Sequence, residues 1–289
     1  MTSRAERDVW ADWLRLRRSG GSEEARNATL EWLAPIRDGV LDQAQVGPGD
    51  VVLDVGCGDG LIGLGAMERG AHVVFSDISQ SCLDDCRAVA GTAADYRLAS
   101  ATELGDVEAD VVTTRSVLIY VDDKQRAFDE FFRVLRPGGR LSIFEPINRF
   151  GMEERRRSFG FDGIDDDVSG ILAKIWAAME PDSGAVSAMI DFDERDLLRL
   201  AEEAGFLDIR MQYVAEVTQS PPDWRPRDWD VFLDTSPNPL ARTMREAIAA
   251  VLTLEEAARL TEVIRPQVEA GVGTTRLAHA FLSARKPSR

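Results

Sequence analysis

The chain has 289 residues, an apolar fraction of 44% and a formal net charge of −16. This length allows one large α/β domain with insertions, or two small domains. So acidic a chain disfavours a nucleic-acid partner, because sequence-independent affinity for nucleic acid comes largely from Lys and Arg. Three cysteines do not make a disulfide framework, and no apolar run resembles a secretion signal or a membrane span. We therefore expect a cytoplasmic protein with no membrane partner.

Residues 1–47 are predicted to form an N-terminal helical cap. An apolar stripe that includes Trp10 and Trp13 ends at the break Ser19-Gly20-Gly21, and Ser22 opens a second helix. The Gly47-Pro48-Gly49 sequence then separates the cap from the remaining chain, 48–289.

From residue 51 onward, short apolar runs alternate with amphipathic segments. We predict strands over 51–55, 73–76, 96–99, 111–115 and 140–144, with helices over 61–69, 79–90 and 123–135. The box Asp122-x-x-Gln125 is predicted to cap the last of these helices, and Arg136-Pro137-Gly138-Gly139 to end it. Such alternation predicts a doubly wound α/β fold with a mostly parallel seven-stranded sheet and an antiparallel last strand.

The second half of the chain is less regular. Segments 148–190 and 221–271 lack a strand pattern and are predicted to be helical insertions, with helices over 168–179 and 239–252 and a capping box at Thr253-x-x-Glu256. Between them lie a helix over 193–204 and a strand over 207–217, and a last strand covers 274–285. Long insertions are uncommon unless functional, so we expect both to form a lid over the carboxyl edge of the sheet.

The most informative stretch runs from Val51 to Gly60 and joins the first strand to the first helix of the sheet. Its glycines are spaced Gly-x-Gly-x-Gly, at Gly56, Gly58 and Gly60. Glycine allows a positive φ and a close approach of a ligand to the main chain. In open α/β sheets, ligands bind beyond the carboxyl ends of the strands, where this loop lies.

Two kinds of ligand compete for such a loop. A dinucleotide needs Gly-x-Gly-x-x-Gly, a spacing that Gly58, Gly60 and Gly63 also satisfy. Asp54 and Asp59 flank the loop, however, and a carboxylate is a poor neighbour for a pyrophosphate. The acidic loop therefore favours a ligand with cationic groups, and Asp77 at the end of the second strand is placed to bind ribose hydroxyls in either case.

The segment 51–145 resembles the class I (Rossmann-like) S-adenosylmethionine-dependent methyltransferases. The resemblance rests on the 53–60 string, on Asp77, on the strand at 110–112 and on the run from Phe131 to Gly139. It implies S-adenosyl-L-methionine as cofactor, the glycine loop around its methionine part, Asp77 on the ribose and Ile78 on the adenine. The cofactor-binding residues that it implies are Asp54, Gly56, Cys57, Gly58, Gly60, Asp77, Ile78, Ser100, Ala101, Thr102, Arg115, Ser116 and, from the cap, Arg17. Ser100 stands where many relatives carry an acidic residue.

Two residues are predicted to be catalytic: Glu145, at the end of the fifth strand, and Tyr120, which closes the loop after the fourth. The only histidines are His72, which directly precedes the second predicted strand, and His279, which lies inside the last one, so no histidine base is evident. Cys82 and Cys86 share a helix face without an obvious third ligand, which favours packing over a metal site. We expect methyl transfer to an oxygen or nitrogen of a small molecule, such as a secondary metabolite, with a homodimer left open. The alternatives are modification of a protein or RNA, and cofactor binding without transfer.

Overall fold

The computed structural model describes residues 8–179 and 185–288. The chain divides into two compact units. Residues 34–149, 187–214 and 278–288 make up the sheet unit. The helical unit consists of residues 8–33 and 215–277 together with the described residues of 150–186. In this described part of the chain, no helix is long and apolar enough to cross a membrane.

A seven-stranded sheet with the order β3-β2-β1-β4-β5-β7-β6 confirms the predicted fold class. The first five strands pair in parallel, and β7 runs antiparallel to β5. The parallel order places the carboxyl ends of β1, β2, β4 and β5 at one edge of the sheet. The strands are β1 (Val51–Val55), β2 (His72–Asp77), β3 (Asp95–Leu98), β4 (Ala109–Arg115), β5 (Leu135–Pro146), β6 (Leu207–Thr218) and β7 (Thr275–Arg285).

Helices accompany the strands of the sheet unit and form most of the helical unit. In chain order they are α1 (Val9–Arg15), α2 (Glu23–Gln43), α3 (Leu61–Glu68), α4 (Gln80–Ala90), α5 (Lys124–Val134), α6 (Met152–Ser158), α7 (Asp166–Met179), α8 (Ala185–Ile190), α9 (Glu194–Glu203), α10 (Trp229–Asp234), α11 (Met244–Val251) and α12 (Leu254–Ala270). Three short 3₁₀ turns add Arg17–Ser19, Gly91–Ala93 and Leu118–Tyr120.

The core of the sheet unit is built on the parallel strands. Residues 52–55 of β1 and 73–77 of β2 are all buried, as the continuous apolar runs predicted. Helix α3 packs closely on this core at Gly63, where a Cβ atom would lie 2.2 Å from Cε1 of Phe75. The glycine therefore sets the distance between α3 and the sheet.

The two predicted insertions share one hydrophobic core within the helical unit. Residues of α7, α10, α11 and α12 contribute to this core, together with Phe161. The N-terminal residues of this unit contact the second insertion, because Trp13 donates its indole N–H to the carbonyl of Ser236 at 2.9 Å. The expectation that both insertions form a lid over the carboxyl edge stays a prediction.

Local details differ from the sequence prediction at three places. Helix α5 is capped by Asp123, which accepts from the amide of Arg126 at 2.9 Å, so the box predicted at Asp122 was wrong by one residue. Strand β5 begins at Leu135, before the predicted stop, because residues 136–139 form an irregularity in its pairing with β4. Gly138 adopts φ +80° there and donates its amide to Lys286 and Pro287.

The third difference is the start of α11. The helix begins at Met244 rather than at residue 239, because Thr243 and Glu246 form a capping box that the sequence analysis overlooked. The box predicted at Thr253 and Glu256 is confirmed.

Two helical glycines give a matched test of the packing. We expect Gly63→Ala to lower the free energy of unfolding by about 1–3 kcal/mol, because the new methyl group overlaps Phe75. At Gly170 in α7 a Cβ would meet nothing within 4 Å, so Gly170→Ala should raise it by up to about 1 kcal/mol through helix propensity. Differential scanning calorimetry measures both. Equal shifts of the two variants would contradict the packing of α3 on β2.

Candidate functional site

The glycine loop turns the chain sharply between β1 and α3. Gly56, Gly58 and Gly60 have φ of +65°, +53° and +81°, values that favour glycine. The amide of Cys57 donates to the carbonyl of Ser76 at 3.0 Å, which ties the loop to the end of β2. The loop therefore lies at the carboxyl edge of the sheet, where the sequence predicted it.

Asp54 is buried beneath this loop, with 1% of its surface exposed. Its Oδ2 accepts from the amide of Gly63 at 2.9 Å, and its Oδ1 from the hydroxyl of Thr113 at 3.2 Å. Burial raises the pKa of Asp54 to about 7, although these two hydrogen bonds act in the opposite direction. Asp54 thus joins β1, β4 and the first turn of α3.

Asp77 connects the glycine loop to the end of β2. The amide of Gly58 donates to its Oδ2 at 2.9 Å, and the amide of Ser79 to its Oδ1 at 2.8 Å. Each carboxylate oxygen can accept more than one hydrogen bond, so Asp77 can also bind hydroxyl groups. The next residue, Ile78, is 56% exposed. A buried acid beside an exposed apolar side chain at the sheet edge suits a nucleoside.

The turn after β3 lies next to Asp77. The amide of Ala99 donates to the carbonyl of Asp77 at 2.9 Å. The hydroxyl of Ser100 accepts from the amide of Thr102 at 3.2 Å and is 2.9 Å from the hydroxyl of Thr102. Ala101 between them is buried. The structure therefore brings all three predicted residues of this turn to the same edge as Asp77.

The loop after β4 approaches the glycine loop from the other side. Ser116 follows Arg115 with φ +57°, rare for a residue with a side chain, and donates its amide to Phe144 at 2.8 Å. Val117 then reaches Gly56, where a Cβ atom would lie 2.4 Å from Cγ2 of Val117. Gly56 is therefore required by this contact as well as by its φ.

Glu145 holds the same loop in place from the end of β5. Its Oε1 accepts from the amides of Val117 at 2.9 Å and Leu118 at 3.0 Å. The side chain is fully buried, and its Oε2 has no hydrogen-bond partner in the part of the chain that the structure describes. Burial raises the pKa of Glu145 to about 7, against the effect of the backbone amides. Tyr120 ends the 3₁₀ turn that follows and is half-buried.

Arg17 lies in the helical unit. Its guanidinium donates to Oε2 of Glu246 at 2.7 Å and to the carbonyl of Ala241 at 3.2 Å. Its predicted contact with the cofactor's carboxylate stays a prediction.

Cys57, Cys86 and His279 pack against neighbouring side chains. Cys57 and Cys86 are buried free thiols with their sulfur atoms 3.9 Å apart. Their mutual hydrogen bond and burial raise the pKa of Cys57, so it remains a neutral thiol. His279 packs against Phe144, with ring centroids 5.2 Å apart. Across residues 8–179 and 185–288, no group of three or more His, Cys, Asp or Glu side chains is arranged to hold a metal.

Two residues of the site were missed by sequence reasoning. Val117 was only part of a predicted loop, and its contact with Gly56 spans 61 residues of sequence. Lys124, 6% exposed, donates to Asp191 at 2.7 Å and to the carbonyls of Val121 and Ala188. Its charge favours the ionised form of Glu145. A lysine at the start of an amphipathic helix gives no local signal that it will be buried.

Residues 53–143 match the family model of a methyltransferase domain. Over 132 residues the chain is 36% identical to the ubiquinone biosynthesis O-methyltransferase of Hahella chejuensis, covering 44% of this chain and 55% of that protein. It is 32% identical over 192 residues to the arsenite methyltransferase of Halobacterium salinarum, covering 63% and 43%. The chain thus matches about half the length of these curated relatives.

A solved structure has a similar fold. Phosphoethanolamine N-methyltransferase 2 of Haemonchus contortus, solved in complex with S-adenosyl-L-methionine, aligns with a TM-score of 0.50 and 18% identity, covering 96% of this chain and 60% of that one. An identity this low indicates a common fold only. Together, the match over residues 53–143 and the seven-stranded sheet show that the chain contains a methyltransferase domain with the fold of the class I S-adenosylmethionine-dependent methyltransferases.

Proposed function

We propose that the protein binds S-adenosyl-L-methionine and transfers its methyl group to an oxygen or nitrogen atom of a small molecule. One observation carries the proposal. Asp77 is fixed to the glycine loop through Gly58, beside the exposed Ile78, so a ribose acceptor and an apolar surface for adenine lie next to the loop. This arrangement matches what the family resemblance implies for the cofactor.

The same loop disfavours a dinucleotide. A pyrophosphate at a helix N-terminus is bound by the free amides of the first turn. In this chain the amide of Gly63, in the first turn of α3, already donates to the buried carboxyl group of Asp54. The site therefore offers an acidic group where a pyrophosphate would need a donor. A ligand with an ammonium and a sulfonium suits it better.

The reaction is an in-line displacement in which the acceptor attacks the methyl carbon and the sulfonium leaves as a thioether. The chain's residues mainly have to align the acceptor with the methyl group and exclude water. Such alignment contributes up to roughly 7–11 kcal/mol in model reactions. We propose that the glycine loop and Asp77 hold the cofactor, with Arg115, Ser116 and Tyr120 beside its reacting end.

We infer that Glu145 acts chiefly as a positioning residue. It is fully buried, and Oε1 is occupied by the amides of Val117 and Leu118. Through these bonds it holds Val117 against Gly56 and so sets the shape of the loop beside the methyl group. A proton acceptor would have to reach the substrate with Oε2, the oxygen without a described partner. These two roles are separable by substitution.

A small acceptor is favoured by charge and by the relatives. The net charge of −16 disfavours RNA. The relatives from Hahella and Halobacterium are named for methylation in ubiquinone biosynthesis and for methylation of arsenite, which are both small-molecule reactions. We propose an oxygen or nitrogen nucleophile here because the cysteines of this chain are buried and serve packing, and none offers a ligand set for arsenic.

Ligand preference is the first test of this proposal. We expect titration calorimetry to show binding of S-adenosylmethionine and of S-adenosylhomocysteine, and no binding of NAD. The reason is the carboxyl group of Asp54, which occupies the amide of Gly63, one of the first-turn donors that a pyrophosphate would use. Binding of NAD in the absence of any S-adenosyl ligand binding would refute the proposed cofactor.

The ribose contact gives a second test. We expect Asp77→Ala to raise the dissociation constant of S-adenosylmethionine tenfold or more, because charge-assisted hydrogen bonds contribute about 1.5–3 kcal/mol each. Asp84→Ala is the matched control, since Asp84 is an exposed acid on α4 that pairs with Arg87. A thermal melt of each variant checks that the glycine loop remains folded. Unchanged affinity in Asp77→Ala would show that β2 does not carry the ribose acceptor.

The role of Glu145 is tested by comparing two substitutions. Glu145→Gln keeps an oxygen that can accept from Val117 and Leu118, so we expect kcat within a few-fold of wild type. Glu145→Ala leaves both amides without an acceptor and should reduce kcat/KM at least tenfold. If Glu145→Gln instead lost as much kcat as Glu145→Ala while binding cofactor normally, Glu145 would be the proton acceptor.

Ionisation of Glu145 adds a stability readout. Its folded pKa, about 7, lies above the ordinary value of 4.5. The stability that the protonated group contributes is therefore complete below about pH 4.5 and is lost as the pH rises through 7. Between pH 4.5 and 7, urea unfolding should show that the free energy of unfolding of Glu145→Gln rises relative to that of the wild type, by at most about 3 kcal/mol. A constant difference between pH 4.5 and 8 would contradict the buried carboxyl group.

A further inference from the structure

Arg225 is a cation of the helical unit that packs against aromatic rings and forms no ion pair among the described residues. It lies in the loop between β6 and α10, with its Cζ 4.8 Å from the ring centroid of Phe161 and 5.5 Å from that of Phe232. Both rings belong to the core of this unit. Other arginines of the unit, such as Arg245 and Arg259, form ion pairs with aspartates. Arg225 therefore places a charge against an aromatic core.

Its hydrogen bonds leave most donors of the guanidinium unused. One N–H of Nη2 donates to the carbonyl of Phe159 at 3.3 Å. In the described ranges, 8–179 and 185–288, this is its only hydrogen bond to protein, and no carboxylate lies within ion-pair distance. A guanidinium carries five N–H donors in a fixed plane. Four of them are thus available to a ligand or to solvent.

Burial of a cation at this position has an electrostatic cost that no acidic partner offsets. Burial without a compensating acid disfavours the charged form and lowers the pKa of Arg225 to about 10. The group still carries its charge at neutral pH. An apolar side chain of similar length would fill the same space against Phe161 and Phe232 without that cost. Packing alone therefore does not account for an arginine here.

The neighbouring residue provides an independent observation. The indole N–H of Trp224 is buried and has no acceptor among the described residues. Its ring contacts Trp32, with centroids 5.8 Å apart. Buried donors are nearly always satisfied by protein, water or a ligand. Two consecutive residues of one loop thus carry N–H donors without a protein acceptor in the described part of the chain, and a ligand with acceptor atoms would satisfy them.

We propose that Arg225 anchors an anion-binding site in the helical unit, which takes the carboxylate or phosphate group of a small organic molecule. The guanidinium plane suits both anions, because two N–H groups can donate to two oxygens. Phe159, whose backbone carbonyl accepts from the guanidinium, also has a half-buried ring that packs on Trp176 at 5.3 Å and leaves apolar surface in the same segment. The ligand therefore combines an anionic group with an apolar body.

Calorimetry with three probes of similar size tests the proposal. Benzoate and phenyl phosphate carry the anion on an aromatic ring, and benzamide is the neutral counterpart. We expect one or both anions to bind the wild-type protein, and benzamide to bind at least tenfold more weakly. Comparison of the two anions distinguishes a carboxylate site from a phosphate site. Absence of binding by either anion, or equal binding of benzamide, would overturn the proposal.

Three variants assign the binding to Arg225. We expect Arg225→Leu to weaken anion binding at least tenfold and Arg225→Lys to weaken it less, since lysine keeps the charge without the paired donors. Arg227→Leu is the matched control, because Arg227 is an exposed arginine two residues further along the same loop. It should bind as the wild type does. Equal losses in Arg225→Leu and Arg227→Leu would show a general effect of surface charge and would overturn the assignment.

Thermal stability separates this role from a purely structural one. We expect the melting temperature of Arg225→Leu to equal or exceed that of the wild type, because an uncompensated charge leaves the aromatic core. A fall of several degrees would show that the stacked guanidinium stabilises the unit, and the proposed site would be refuted. Unchanged affinity of the same variant for S-adenosylmethionine reports that the sheet unit is intact.

Discussion

The architecture of the site depends on one buried carboxyl group. Asp54 accepts from Gly63 in α3 and from Thr113 in β4, so a single side chain fixes the first strand, the helix after the glycine loop and the neighbouring strand. Without such an acceptor, the amide of Gly63 would be free to bind an anion. The same group thus shapes the loop and occupies an amide that an anionic ligand would use. Burial makes this arrangement costly for the ionised form, which is why the pKa of Asp54 is raised.

A second buried acid performs a comparable task on the opposite side of the loop. Glu145 holds Val117, and Val117 occupies the space where any side chain at residue 56 would project. The glycine loop is thus shaped from β1 by Asp54, from β2 by Asp77 and from β5 by Glu145. All three carboxyl groups accept hydrogen bonds from backbone amides of loops or helix starts.

The helical unit follows a different principle. The two predicted insertions within it are separated in the chain by α9 and β6, and neither could bury its own apolar face alone. Helices α7, α10, α11 and α12 supply these faces to one common core, with Phe161 and Phe232 beside Arg225. Some charged groups at the surface of this unit are paired, as in the ion pair between Arg245 and Asp234. Arg225 differs from Arg245 because its guanidinium lies against aromatic rings and pairs with no acid among the described residues.

The sequence by itself determined the features that depend on neighbouring residues. The alternation of apolar runs and amphipathic segments predicted the order and type of the sheet's elements, and the glycine spacing with Asp77 predicted the loop at the carboxyl edge. Local patterns suffice for these because strand and helix periods, turns and caps extend over a few residues. Even there, the predicted cap of α5 was wrong by one residue. The structure has Asp123 as the cap and not Asp122, because two adjacent aspartates offer the same local signal.

Only the tertiary structure decided which distant groups meet. The contacts of Asp54 with Thr113, of Glu145 with Val117 and of Val117 with Gly56 join residues that are between 28 and 61 positions apart. No local pattern encodes such a pairing, because the side chains become neighbours only when parallel strands align. Burial is equally a tertiary property, and it raises the pKa of Asp54 and Glu145 to about 7. The residue types were visible in the sequence, but their partners and their protonation followed from the packing of the sheet.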